Sequence, residues 1–222
     1  EYLDFFGGIA VTALGHCHPK VTDAITKQAA TLVHVSNLYL TQPCAELAAL
    51  LSKHSFADRW FFSNCGATAI EASIKLARRY WAQQGAPKPA IVSMQQSFHG
   101  RTMAAITATG QPKYHEGFAP MLPGIVHVPF NDHAALMKAL TDDVGAVLLE
   151  PIQGEGGIRV VDAEYIKSVR ALCDARNILL IFDEIQCGMG RTGTLFAHEQ
   201  FGVTPDIIAL AKALANGMPI GA

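Results

Sequence analysis

The sequence alternates continuous apolar segments of four or five residues with longer segments whose apolar residues recur every three or four positions. The first pattern is typical of fully buried strands and the second of amphipathic helices. The predicted strands are Trp60–Ser63, Ala90–Met94, Ile125–Val128, Ala146–Leu149, Ile178–Phe182 and Ile207–Leu210. The predicted helices are Val21–Leu32, Ala45–His54, Thr68–Gln83, Ala134–Leu140 and Ala163–Ala175. This order indicates an α/β fold in which helices cover both faces of a mostly parallel sheet.

The regular alternation does not extend to the beginning of the sequence. Residues 1–45 carry short apolar pieces interrupted by glycine and proline, and we expect them to form a lead-in segment. Residues 46–222 are predicted to form one large domain. The residues of its first long helix that are predicted to face the core are Ile70, Ile74, Leu76 and Ala77. Because the sequence lacks an initial Met and stops as if entering a strand, we expect it to be a fragment.

Composition narrows the class of protein. Half of the residues are hydrophobic and 16% are charged, whereas about 25% are charged in an average protein. This excludes a disordered chain or a coiled coil. The 17 Lys and Arg residues against 19 Asp and Glu residues give a net charge of −2, so we expect no nucleic-acid partner. The scarcity of charge suggests that a partner subunit covers part of the surface.

The five cysteines are scattered and include no CxxC pair, which is typical of a reducing cytoplasm rather than of a disulfide framework. No apolar run approaches the roughly 20 residues that cross a bilayer, and no signal peptide is visible. We therefore expect a cytoplasmic protein without a membrane partner. The segment His16-Cys17-His18 is dense in metal-ligand types, but no matching pair follows, so we predict a turn and no metal.

Candidate binding residues directly follow the predicted strands, because ligands of open parallel sheets bind outside the carboxyl ends of the strands. Gly66 and Ala67 open a long helix, where backbone N–H groups and the helix dipole favour an anion such as phosphate. A tight strand-to-helix turn is the alternative. Phe98 and Arg101 follow the next strand, where they would stack on a flat ring and bind a carboxylate. The alternative is a phenyl ring packed beneath the loop and an arginine in solvent.

The remaining strand ends carry acids and a lysine. Glu150 and Glu155 lie in a glycine-rich polar loop. Asp183 ends a buried strand, so its charge requires a partner unless it only caps a turn. Lys212 has apolar neighbours, and burial would make its amine nucleophilic, unless the chain extends to water. A phosphate site, an aromatic ring, a carboxylate and a lysine are together what pyridoxal phosphate requires.

A competing motif is Gly188–Gly193, which matches the G-x-G-x-x-G pattern of dinucleotide-binding proteins. That pattern belongs in the turn that directly follows a strand and opens a helix. Here Asp183–Cys187 intervene, and the residues after Gly193 are poor helix formers. A nicotinamide-dependent oxidoreductase is therefore the weaker hypothesis.

Several longer motifs occur in order along the chain, and together they resemble one family. They are Gly8–Val11, Leu14–Pro19, Val35–Tyr39, Phe98–Thr102, Thr109–Tyr114, Glu150–Gly157, Phe182–Gly193 and Asp206–Ala222. With these motifs the chain resembles the class III (subgroup II) aminotransferases of pyridoxal-phosphate fold type I, and among them the acetylornithine/succinyldiaminopimelate group. Two residues depart from the usual pattern: Cys65 replaces a serine and Thr68 replaces an acid.

The resemblance implies a pyridoxal 5′-phosphate enzyme of arginine biosynthesis. It would transfer the ω-amino group of N-acetylornithine to 2-oxoglutarate and act as a homodimer. Ornithine, succinylornithine and 4-aminobutyrate are alternative donors, and a non-catalytic relative of the same fold is a more remote alternative. The family continues into a smaller C-terminal domain, which we expect to be absent here.

The resemblance also implies roles for eight residues. The implied cofactor-binding residues are Gly66 and Ala67 at the phosphate, Phe98 on the ring, Asp183 at the ring nitrogen, Gln186 near the phenolic oxygen and Lys212 at the aldehyde carbon. Lys212 and Asp183 are also implied to be catalytic. Arg101 is implied to bind the α-carboxylate of the substrate, and Glu155 to pair with a downstream arginine when the donor lacks a second carboxylate.

Overall fold

The computed structural model describes residues 1–222. Its helices are α1 (Gly7–Ala10), α2 (Pro19–Thr31), α3 (Gln42–Lys53), α4 (Gly66–Gln83), α5 (Met103–Ala108), α6 (His133–Ala139) and α7 (Ala163–Arg176). Its strands are β1 (Ala90–Met94), β2 (Ile125–Val128), β3 (Val144–Leu149), β4 (Ile152–Gln153), β5 (Arg159–Val160), β6 (Leu179–Asp183) and β7 (Ile207–Ala209). Short 3₁₀ turns lie at Pro112–Tyr114, Ala197–Phe201 and Lys212–Leu214.

Five strands form a parallel sheet in the order β2-β1-β3-β6-β7, which confirms the predicted fold class. The chain first adds β2 on one side of β1 and then returns to add β3 on the other side. The order therefore reverses between β1 and β3, and this reversal is the point at which open α/β sheets bind ligands. The small antiparallel hairpin of β4 and β5 follows β3.

The central strands are apolar throughout because helices cover both of their faces. Every residue of β1 and β3 is buried. Val147 and Leu149 point toward the layer that contains α6 and α7. Ala146 and Leu148 point toward the layer of α4 and α5. Side chains alternate between faces along a strand, so a strand that is buried on both sides shows no polar alternation.

The orientation predicted for helix α4 is wrong at one position. Ile70, Ile74 and Ala77 are buried as predicted, whereas Leu76 is 57% exposed. At 3.6 residues per turn, Leu76 lies about 200° around the helix from Ile74, on the opposite face. There it lines an apolar groove that also contains Trp60.

The predicted strand Trp60–Ser63 is also wrong. Only Ser63 pairs, antiparallel to Gly221, with N–O distances of 2.8 Å in both directions. Ala222, next to that partner, exchanges both of its backbone hydrogen bonds with Leu210 instead, at 2.8 and 2.9 Å. The apolar side chains of the segment nevertheless pack: Trp60 contacts a separate buried cluster around Phe196.

Residues 1–45 contain α1, α2 and the first turn of α3, so residue 45 lies within a helix. The predicted helix Val21–Leu32 is confirmed by α2. None of the first 50 residues is buried. None of the helices combines the length and apolar character that spanning a membrane requires.

The packing of α4 predicts that Ile→Ala lowers the free energy of unfolding much more at a buried position than at an exposed one. Ile70 is fully buried between α4 and the sheet, so Ile70→Ala should lower the free energy of unfolding by about 2–5 kcal/mol. Ile25 on α2 is 40% exposed, and Ile25→Ala should change it by about 1 kcal/mol or less. Urea denaturation of the purified variants measures both values. Equal effects at the two positions would contradict the described core.

Candidate active site

A cavity of about 430 Å³ lies at the carboxyl ends of β1, β3 and β6. All eight residues predicted for the site line it: Gly66, Ala67, Phe98, Arg101, Glu155, Asp183, Gln186 and Lys212. They come from five separate segments of the chain, which the parallel sheet brings to one edge. The structure thus brings together every residue that the sequence suggested.

The start of α4 presents N–H groups without a backbone acceptor to this cavity. The N–H groups of Gly66 and Ala67 have no backbone acceptor, as expected for the first turn of a helix. Thr68 Oγ1 accepts the N–H of Cys65 at 3.0 Å, so this threonine fills the capping role of the more usual acid. A Cβ on Gly66 would lie 2.9 Å from the Ile185 side chain, so the helix start packs directly against the segment after Asp183.

Asp183 is a buried carboxylate with two fixed contacts. Its Oδ2 lies 2.7 Å from Nδ1 of His99, which is also buried, and its Oδ1 accepts the N–H of Ile185 at 3.0 Å. These contacts fix the carboxylate and leave each oxygen a further lone pair. The sequence placed His99 in a ligand loop but did not identify its contact with Asp183, because the two residues are 84 positions apart.

Lys212 follows β7 and adopts a left-handed backbone conformation with φ of 47°. Its Nζ makes no hydrogen bond or ion pair within the chain. Burial lowers the pKa of Lys212 below its ordinary value, although the nearby carboxylates of Asp183, Glu155 and Glu150 act in the opposite direction. A larger fraction of this amine is therefore neutral and nucleophilic than for a lysine in water.

Phe98 forms an aromatic wall of the cavity. Its ring meets Tyr114 edge-to-face with a centroid separation of 5.4 Å. The guanidinium carbon of Arg101 lies 5.9 Å from the centroid of Phe98, at the exposed side of the cavity. Between these residues, Gly100 has φ of 126°, and a Cβ there would lie 2.6 Å from Cβ of Ala67. The aromatic loop and the start of α4 are therefore in direct contact.

Glu155 and Gln186 contact each other in the lining of the cavity. Gln186 Nε2 donates to Glu155 Oε1 at 3.3 Å. Any side chain at Gly154 would overlap the Gln186 amide, so this position requires glycine. The predicted polar loop is in fact the turn of the β4–β5 hairpin, which holds Glu155 at the edge of the cavity.

Glu150 is a further cavity residue, which the sequence analysis noted in its loop but assigned no role. It follows β3 directly, and its Oε2 accepts the N–H of Phe98 at 3.1 Å. Burial, followed by the nearby Asp183, raises the pKa of Glu150 well above its ordinary value. Position at the end of a buried strand was its only signal in the sequence.

The two competing motifs have structural explanations. The segment Gly188–Gly193 forms turns and opens no α-helix. Its first N–H, that of Gly188, donates to the backbone oxygen of Glu184 at 2.9 Å, and the buried Glu184 carboxylate accepts the N–H of Ala197, beyond the segment, at 2.6 Å. His16 lies in a turn and contacts Asp4 at 2.7 Å. No group of three or more His, Cys, Asp or Glu side chains in residues 1–222 is arranged to hold a metal ion.

The cavity therefore presents four chemically distinct features to one ligand. They are N–H groups without a backbone acceptor at a helix start, an aromatic wall, a fixed buried carboxylate and an amine with a lowered pKa. These residues fit a flat, phosphorylated, electron-deficient aldehyde such as pyridoxal phosphate, because each feature matches one of its functional groups.

Comparison with known proteins agrees with this chemistry. The chain matches the family model "Aminotransferase class-III" over residues 1–222. It is 56% identical to acetylornithine aminotransferase of Methanocaldococcus jannaschii, across all of this chain and 56% of that relative. It is 53% identical to acetylornithine/succinyldiaminopimelate aminotransferase of Yersinia pestis, across all of this chain and 55% of that relative.

Solved structures give the same result. N-acetylornithine aminotransferase from Stenotrophomonas maltophilia has a TM-score of 0.86 at 43% identity, with 99% of this chain and 56% of that chain covered. Ornithine aminotransferase from Toxoplasma gondii has a TM-score of 0.94 at 34% identity, with 99% and 53% covered. The chain thus spans little more than half the length of these relatives. On these matches, the chain belongs to the class-III aminotransferase family.

Proposed function

We propose that this chain is the cofactor-binding part of an enzyme that transfers the ω-amino group of N-acetylornithine to 2-oxoglutarate, with pyridoxal phosphate as cofactor. The observation that carries the proposal is the convergence of Lys212, Asp183 and Phe98 on one cavity. The relatives named acetylornithine aminotransferase, at 54–56% identity, support N-acetylornithine as the amino donor. Ornithine, succinylornithine and 4-aminobutyrate are the alternative donors.

When bound, pyridoxal phosphate supplies an aldehyde that exchanges amino groups and a ring that withdraws electrons from the reacting carbon. The Gly66 and Ala67 N–H groups would bind its phosphate, since they have no backbone acceptor. Phe98 would stack on the ring. Asp183 would pair with the ring nitrogen and keep it protonated, because a buried anion favours the cationic form of its neighbour.

Lys212 is proposed to have two roles. Its amine would hold the cofactor at the aldehyde carbon. As a neutral amine it would also take the proton from the donor carbon that bears nitrogen. The lowered pKa of Lys212 supports both roles, because both require the neutral amine.

Three side chains would surround the reacting groups. Gln186 would donate near the phenolic oxygen of the cofactor. Arg101, at the exposed side of the cavity, would bind the substrate α-carboxylate. Glu155 contacts Gln186 and no arginine within this chain, and its proposed partner is an arginine that lies further along the full-length protein.

We also propose that the protein is a cytoplasmic homodimer. All five cysteines are free, which supports a reducing compartment. The first 50 residues include exposed apolar side chains such as Tyr2, Phe5, Leu38 and Leu40. An apolar surface of this kind supports coverage by a second subunit.

The role of Lys212 is tested by Lys212→Ala in the full-length protein, with Lys167→Ala on the exposed side of α7 as the control. The first variant should lose the visible absorbance of lysine-bound cofactor. Its turnover should fall by at least about 100-fold, since general acid–base groups contribute 10²–10⁴-fold. Borohydride reduction and peptide mass analysis should locate the cofactor on Lys212 in the wild type. A variant that kept absorbance and turnover would show that the assignment is wrong.

The amino donor is tested by steady-state kinetics of the full-length protein with 2-oxoglutarate as acceptor. We expect kcat/KM to decrease in the order acetylornithine, ornithine, succinylornithine and 4-aminobutyrate. Titration with NADH serves as the control for the oxidoreductase alternative, and no binding is expected. A higher kcat/KM for ornithine or 4-aminobutyrate would contradict the proposed donor, and tight NADH binding without pyridoxal phosphate binding would contradict the reaction class.

The homodimer is tested by sedimentation of the full-length protein. Leu40 is 98% exposed, so if a partner covers it, the double variant Leu38→Asp/Leu40→Asp should weaken the dimer by at least about tenfold. Met137→Asp, on exposed α6, is the control and should leave the dimer intact. A wild-type protein that sediments as a monomer at micromolar concentration would refute the proposal.

A further inference from the structure

Where the strand order reverses, between β1 and β3, there is a hydrogen bond that has no role in the proposed mechanism. Glu150 is the first residue after β3, and Phe98 lies four residues after β1. The Glu150 carboxyl group accepts the Phe98 N–H at 3.1 Å. It thereby joins the ends of the two strands between which the strand order reverses. This position is where an open α/β sheet binds its ligand.

The contact is the one hydrogen bond available to the Phe98 backbone donor. The N–H of His99, the next residue, is bound by Thr109 Oγ1 at 2.9 Å, and no backbone oxygen accepts the N–H of Phe98. Glu150 is buried, with only 5% of the residue exposed to solvent. Loss of the carboxyl oxygen would therefore leave a donor without a partner in a largely dry site, and the backbone of Phe98 would shift to find one.

We propose that Glu150 is a positioning residue of the cofactor cavity, which fixes the Phe98 backbone and with it the plane of the ring against which the cofactor stacks. This inference rests on the proposed function, since it concerns how pyridoxal phosphate is held. Glu150 acts through Phe98, whose ring is supported from its edge by Tyr114. The two supports together would determine the tilt of the aromatic wall.

The charges around Glu150 favour its neutral form. The carboxylates of Asp183 on β6 and of Glu155 on the β4–β5 turn raise the pKa of Glu150. The Lys212 amine and the Phe98 N–H lower it. Burial is the largest influence, and it raises the pKa of Glu150. Asp183 has a different environment, with His99 and the Ile185 N–H as partners. The cavity thus holds two buried acids with different partners, Glu150 at the Phe98 N–H and Asp183 at His99 and the Ile185 N–H.

Two variants of the full-length protein separate the hydrogen bond from the charge. Glu150→Gln keeps the shape and an oxygen acceptor, whereas Glu150→Leu has similar size and no acceptor. Glu150→Leu should weaken the affinity of the apo-protein for pyridoxal phosphate by about tenfold, because the Phe98 ring would no longer be held in the orientation that stacks on the cofactor. It should also reduce the visible circular dichroism per bound cofactor, which depends on the tilt of the ring. Glu150→Gln should stay within about twofold of wild type for affinity, because its acceptor is retained.

A double-variant cycle distinguishes positioning from a general loss of packing. In the Phe98→Leu background the backbone N–H remains but the aromatic ring is gone. If Glu150 acts through that ring, adding Glu150→Leu should change cofactor affinity by less than about twofold, because the two effects are not additive. A full tenfold further loss in that background would overturn the inference, and so would a Glu150→Gln variant that behaves like Glu150→Leu.

A wild-type protein that binds no pyridoxal phosphate would refute the proposed function itself. Normal binding by wild type and by Glu150→Leu would refute only the role of Glu150.

Discussion

The arrangement of the cavity depends on one buried hydrogen bond, the 2.7 Å contact between Asp183 and His99. A carboxylate at the end of a buried strand is costly unless groups nearby satisfy it. Here a loop after β1 supplies His99, and the same loop supplies Phe98 and Arg101. The contact that stabilises the acid therefore also brings the aromatic wall and the guanidinium group to the cavity. The His99–Asp183 hydrogen bond therefore stabilises the end of a core strand and also positions the side chains of the site.

The fold could be predicted because the sequence pattern that indicates each strand or helix lies within that strand or helix. Strands buried on both faces read as unbroken apolar segments, as in β1 and β3, and the helices between them repeat with the helical period. The ends of such strands share one edge of the sheet, so a list of the residues that follow each strand is already a list of the site. This is why residues as distant in sequence as Phe98 and Lys212, which follow β1 and β7, could be placed together from the sequence.

What could not be predicted depends on contacts between distant segments. Helix α5 begins where Glu71 of α4 accepts the hydroxyl of Thr102 at 2.6 Å and the N–H of Ala104 at 2.9 Å, so its cap comes from another helix. The segment around Trp60 resembles a strand in composition, yet only Ser63 finds a backbone partner. The roles of His99 and Glu150 likewise arise from contacts across the cavity, and neither residue has a neighbour in sequence that reveals them.

Lys212 and Asp183 are proposed to contact opposite ends of a single ring. This proposal can be tested by a crystal structure of the full-length protein grown with pyridoxal phosphate. We expect continuous density from Lys212 Nζ to the cofactor, with the ring nitrogen within hydrogen-bonding distance, about 2.7–3.2 Å, of an Asp183 carboxylate oxygen. Cofactor bound to another lysine, or a ring nitrogen that faces away from Asp183, would show that the proposal is wrong.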